Sequence, residues 1–144
     1  MKRLFILAVN LLFCAMVALP VLGQQAPPTR SNAELLQIAD RLYGDNRLDE
    51  ARLIYLKLLA TAPKDFHLNL NLGNCFANGR RPELNRAIEF FQTALSAAAT
   101  EAQSDEMVSA LARTYQRANR VASGLALLRE RAEQHPQHPE HWRE

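Results

Sequence analysis

The sequence predicts an all-α chain, a solenoid of antiparallel helix pairs. Three observations carry that prediction. From residue 31 onward, apolar and small residues recur at i, i+3, i+4 and i+7, which is one face of a helix. The whole pattern then returns at offsets of 34 to 39 residues. Capping residues, asparagine turns and prolines fall between the recurrences rather than within them.

The 144 residues suffice for one small domain. Residues 1–23 read as a secretory signal peptide. Lys2 and Arg3 form its basic head, Leu4 to Leu22 is apolar apart from Asn10 and Pro20, and Gly23 stands at the expected cleavage point. The apolar run, about 18 residues, lies at the lower edge for spanning a bilayer, so an uncleaved membrane anchor is the alternative. Cys14 does not read as a lipidation site, because bulky Phe13 precedes it and the apolar run continues past it. Residues 24–30, with Pro27 and Pro28, read as a flexible tether. The expected location is therefore exported, in the periplasm of a Gram-negative bacterium.

Cleavage changes the charge. The chain carries 17 basic and 15 acidic residues, net +2. Without Lys2 and Arg3 there are 15 of each, and net charge is zero. That argues against nucleic acid as a partner, since phosphate binding needs a net basic face. Of the two cysteines only Cys75 lies beyond the signal. It cannot form an internal disulfide and reads as a small core residue.

The helices follow in pairs. The first members are Leu35-x-x-Ile38-Ala39-x-x-Leu42, Asn69-x-x-Leu72-Gly73-x-x-Phe76 and Val108-x-x-Leu111-Ala112-x-x-Tyr115. The second members are Leu48-x-x-Ala51-x-x-x-Tyr55-x-x-Leu58-Leu59, Leu84-x-x-Ala87-x-x-x-Phe91-x-x-Ala94-Leu95 and Val121-x-x-Gly124-x-x-x-Leu128-x-x-Arg131-Ala132. The small residues Ala39, Gly73, Ala112, Ala51, Ala87 and Gly124 are expected where paired helices approach closely. Leu42, Phe76, Tyr115, Tyr55 and Phe91 are expected to fill the space between. Ser31-x-x-Glu34 is a capping box for the first helix. Asp45-Asn46 and Asn78-Gly79 are expected to supply left-handed turns. Pro63 and Pro136 each follow a second helix. The inserted residues that lengthen the repeat are expected in loops near Arg80–Pro82 and Thr100–Gln103.

These motifs resemble the tetratricopeptide repeat (TPR) family over residues 31–138. Asp45-Asn46-Arg47-Leu48-Asp49-Glu50-Ala51 is similar to its inter-helix turn, and Leu70-Asn71-Leu72-Gly73-Asn74-Cys75-Phe76 to its first-helix core. The resemblance implies a right-handed superhelix of about three TPR units, near 32–65, 66–104 and 105–138. The second unit lacks the terminal proline, Ala99 standing near its place, so its second helix is expected to run on through Thr100. Residues 139–144 read as the start of a fourth unit or a cap, with Trp142 placed 34 residues after Val108. The last complete helix, expected over 125–133, would then be half covered by that segment or by another chain.

No phosphate loop, G-x-S-x-G, H-E-x-x-H or C-x-x-C occurs, so neither catalysis nor a cofactor is expected. His67 and Cys75 lie eight residues apart in one helix, about 12 Å of rise, too far to hydrogen-bond. Asp49-Glu50 and Asp105-Glu106 are expected in first helical turns, where carboxylates complement the helix dipole. His135, His138 and His141 would share an edge of a polyproline helix, which gives a metal-binding tail as a lesser alternative.

By resemblance, the first helices line a concave groove that holds a peptide. The lining would be Leu36, Asp40 and Tyr43; then His67, Leu70, Asn74 and Ala77; then Glu106, Ser109, Arg113, Gln116 and Arg117. Asn74 would hold a peptide backbone, and Arg113 with Arg117 would grip a carboxylate. Leu36 and Asp40 stand where some relatives place a Lys and Asn clamp for a C-terminal carboxylate, so that clamp is not expected. The functional expectation is an exported adaptor or scaffold for a protein or peptide partner in envelope assembly or maturation. Self-assembly through the uncovered last helix, giving a homo-oligomer, is the structural alternative. Membrane contact is expected only through an uncleaved signal.

Overall fold

A computed structural model describes residues 30–134. The expected signal peptide, most of the expected tether, the His135/His138/His141 stretch and Trp142 lie outside the described residues. Six helices follow one another: α1 Asn32–Gly44, α2 Leu48–Leu59, α3 Phe66–Asn78, α4 Leu84–Ala97, α5 Glu101–Arg117 and α6 Val121–Gln134. Each packs chiefly on its neighbours in sequence, which is the contact order of a linear array. Among the described residues none of the helices is long and apolar enough to cross a membrane.

Local chemistry explains the helix ends. Ser31 Oγ accepts the Glu34 N–H at 3.2 Å, and Glu34 Oε2 accepts the Ser31 N–H at 2.8 Å. Two otherwise unpaired donors at the start of α1 are thereby satisfied, as the capping box predicts. Asp65 caps α3 by accepting the Leu68 N–H at 2.8 Å. Asn46 takes a left-handed φ of 58°. Around it the Arg47 N–H reaches Leu42 O at 2.8 Å and the Asn46 N–H reaches Tyr43 O at 3.0 Å. This is a Schellman turn with Asn in the left-handed position.

Three turns differ from expectation. Gly79 is extended, with φ −63° and ψ 174°, so it supplies no left-handed turn. It is there for space: a Cβ would lie 2.8 Å from Cys75 O and 2.9 Å from Asp49 Oδ1. The other left-handed residue among those described is Asn119, at φ 57°. It repeats the α1–α2 turn, with the Arg120 N–H on Tyr115 O at 2.8 Å and the Asn119 N–H on Gln116 O at 3.0 Å. α6 therefore starts at Val121, where the second-helix pattern begins, and is longer than the expected span 125–133. Finally, α4 stops at Ala97, and residues Thr100–Gln103 are no loop but the cap and first turn of α5. Thr100 Oγ1 accepts the Gln103 N–H at 3.2 Å, while Gln103 Oε1 accepts the Ala99 N–H at 2.8 Å. This closely resembles a capping box, and it ends α4 without a proline. Asp105-Glu106 consequently falls in the second turn of α5 rather than the first.

The core runs the length of the array. Tyr55, Phe76, Phe91, Leu72, Met107 and Leu111 are fully buried. Gly73 seats the Phe91 ring against the α3 backbone, and a Cβ there would lie 2.5 Å from Phe91 Cδ1. Phe76 stacks on Phe90 at 5.2 Å, with the Arg52 and Arg86 guanidinium carbons 4.8 and 4.2 Å from its ring centre. Three polar residues are buried, each with a hydrogen-bond partner, Thr114 donating to Ala110 O at 2.7 Å. Asn69 donates to Pro63 O at 3.0 Å and to Asp65 O at 2.7 Å, tying the α2–α3 loop to α3. Arg131 stands where the earlier units have Leu58 and Ala94, and pairs with Asp105 of α5 at 2.6 Å.

Candidate functional site

The first helices α1, α3 and α5 are joined side by side through polar contacts, and the expected site residues lie along them. Tyr55 of α2 reaches between α1 and α3. Its hydroxyl donates to Asp40 Oδ1 at 2.7 Å and accepts from Asn71 Nδ2 at 3.2 Å. Burial, then the Asp40 carboxylate, push its phenol well above the usual tyrosine range. Tyr43 packs edge-on against Tyr55 at 6.5 Å, with the Asn74 side chain near its hydroxyl. Its phenol is also raised, chiefly by burial.

Between α1 and α3 these contacts leave an open cleft of about 520 Å³. Asn32, Ala33, Leu36 and Asp40 form one wall, His67, Leu68 and Asn71 the other. Leu58, Thr61, Ala62 and Asp65 lie between. Leu36 is 39% exposed and gives the cleft an apolar surface open to a ligand. The structure thus brings Leu36, Asp40 and His67 of the expected set into one cleft. Leu70 is half-buried and packs against the core. Asn32, Thr61, Asp65 and Asn71 belong to the cleft and were not anticipated. For Asn71 a signal existed, since it lies one helical turn from both His67 and Asn74.

The other expected residues divide. Arg113 and Gln116 are exposed on α5, Glu106 is exposed and Ser109 half-buried. Ala77 is 3% exposed, so it belongs to the core rather than to a lining. Asn74 is half-buried beside Tyr43. Arg117 is held by α3, donating to Ala77 O at 2.6 Å and to Asn78 Oδ1 at 3.0 Å. Its guanidinium closes the C-terminal end of α3, where a cation complements the helix dipole. The structure does not pair it with Arg113 as a grip.

Cys75 is fully buried, and burial pushes its thiol up to about 11. It is protonated at neutral pH, which suits packing rather than nucleophilic attack. His67 sits exposed at the start of the same helix, away from it. Among the described residues no group of three or more His, Cys, Asp or Glu is placed to hold a metal ion.

No family model and no curated protein matches the chain. Among solved structures it is similar to the crystal structure of YrrB, described as a TPR protein with an unusual peptide-binding site. The TM-score is 0.58 at 18% identity, over 74% of this chain and 52% of that one. The chain thus spans about half the length of the structure it matches. A likeness at this identity speaks for the fold, and it agrees with the six helices and their sequential packing: the chain has the all-α TPR fold, a solenoid of antiparallel helix pairs.

Proposed function

We propose that this chain is an exported TPR adaptor that binds an extended segment of a partner protein along the face built by α1, α3 and α5, and catalyses no reaction. The observation that carries the reading is the open cleft between α1 and α3, with exposed Leu36 beside hydrogen-bonding groups that are rigidly placed by Tyr55. Apolar surface with a few convergent polar groups is what peptide recognition requires. The solved neighbour's description as a peptide-binding TPR protein supports the same class of partner. The export part rests on the residue 1–23 pattern, and the expected setting is the periplasm, in assembly or maturation of the envelope.

Site-specific photocrosslinking in envelope preparations tests this. A crosslinkable side chain at Leu36 or Arg113 should capture a partner, and one at Leu53, 67% exposed on α2, should not. Capture at Leu53 alone would overturn the groove reading. Fractionation of the same cells tests export, and retention of the chain in the cytoplasm would overturn that part.

One observation favours a second reading, self-assembly. On α6 Val121 is 49% and Leu125 51% exposed, and they lie one helical turn apart. A crosslink from Leu125 to a second copy, with sedimentation that depends on concentration, would support a homo-oligomer.

A further inference from the structure

The cleft between α1 and α3 has a one-sided charge. Its walls are mostly carbon, with Leu36, Leu58 and Leu68 the large apolar side chains. Its charged groups are Asp40 and Asp65, and no lysine or arginine lines it. Both carboxylates are fixed. Asp40 accepts the Tyr55 hydroxyl at 2.7 Å, and Asp65 accepts the Leu68 N–H at 2.8 Å. Each bond uses one of roughly four acceptor sites on its carboxylate, so each retains capacity for a further donor.

We infer that this cleft selects a basic side chain, Lys or Arg, of the bound segment, with the aliphatic stem against Leu36 and the cationic head at Asp40, Asp65 adding negative charge further along the cleft. The inference rests on the peptide-binding reading above and names its partner chemistry. Long basic side chains combine an apolar stem with a charged tip, the arrangement that the cleft complements. A bound acidic side chain would face two carboxylates and no cation, so the same charges exclude it. Asp40 also explains the departure from a carboxylate clamp, because a negative group there repels a partner's C-terminus. The Tyr55 hydroxyl fixes Asp40 in advance, so little ordering is needed on binding.

The test is selection of displayed random dodecapeptides on the purified protein, followed by fluorescence anisotropy of the selected peptides. Selected peptides should share one Lys or Arg position. Replacing it with norleucine (for Lys) or citrulline (for Arg) should weaken binding about tenfold, as expected for loss of a charge-assisted hydrogen bond. The variant Asp40→Asn/Asp65→Asn should lose that discrimination. Asn remains a good helix N-cap and keeps an oxygen for the Tyr55 hydroxyl, so the fold is retained, and a thermal melt checks this. Leu36→Ser should weaken every selected peptide. Peptides that need Leu36 but share no basic residue would overturn the charge assignment and leave the groove reading standing. Equal discrimination by the Asn variant would do the same. No selected peptide, or one indifferent to Leu36→Ser, would overturn both. Wild-type self-association abolished by Leu36→Ser would make the occupant a second copy and refute the inference.

Discussion

Replacing Gly73 by alanine tests the packing argument most directly, because two effects of known sign oppose each other. Gly73 lies within α3, the helix that contacts both α2 and α4. In an open helix Gly→Ala gains about 1 kcal/mol of helix propensity. Here the new Cβ would lie 2.5 Å from Phe91 Cδ1 and 2.9 Å from Cζ, inside any tolerated carbon contact. Phe91 is 2% exposed, so a shift of its ring displaces other core side chains. Overpacking costs about 1–3 kcal/mol, and contacts this close to three ring atoms place it at about 2–3, so after the propensity gain the net loss should be about 1–2 kcal/mol. For a domain of this size that lowers Tm by about 5–10 °C. Gly44 is the matched control, since a Cβ there meets nothing within 4 Å. Gly44→Ala should stabilise by about 0.4–1 kcal/mol. Urea melts followed by far-UV circular dichroism give both values. Phe91→Leu should partly rescue Gly73→Ala, with a favourable coupling of about 0.5 kcal/mol or more. A Gly73→Ala protein at least as stable as wild type would refute the account of this helix pair.

The remaining expectations concern side chains whose roles depend on partners far along the chain. Arg117→Ala should cost about 1–2 kcal/mol and speed amide exchange in the last turn of α3, because Ala77 O and Asn78 lose a charged donor. Arg113→Ala should stay within about 0.5 kcal/mol of wild type in the same melts, so equal losses would refute the distinction. Arg131→Ala should cost about 1–2 kcal/mol, since Asp105 loses its partner, and a double-mutant cycle with Asp105→Ala should return a favourable coupling. Cys75 ionises at about 11 when folded against its ordinary 9.0, so the unfolded chain releases this proton first. Stability should be unaffected by this group below pH 9, fall as pH rises from 9 to about 11, and fall less steeply in Cys75→Ala, by up to one proton. An unchanged slope in that variant would remove Cys75 as a cause.

Helix type, pairing and many of the close approaches were legible in the residues because they depend on local rules. An apolar face repeats at helical spacing whatever it packs against, and small residues at Ala39, Ala51, Gly73 and Ala87 mark close contact from one side alone. Asn46 announced its turn through its neighbour Asp45. Asn119 makes the same turn and is likewise followed by an arginine, but Ala118 before it gave no comparable signal. The helix start at Thr100 was written in Thr100-x-x-Gln103, yet the missing proline suggested a longer α4 instead.

What only the tertiary structure decided are the polar side chains that act across the array. Arg117 reads as a free surface cation until α3 supplies Ala77 O 40 residues away. Arg131 looks misplaced in an apolar series until Asp105 comes within 2.6 Å. Asp40 and Asn71 flank one hydroxyl, from Tyr55, and that shared bond shapes the cleft. Burying apolar surface needs only the right periodicity, so sequence suffices to place it. A hydrogen bond has a direction and a reach of about 3 Å, so its partner is chosen only when the helices have docked.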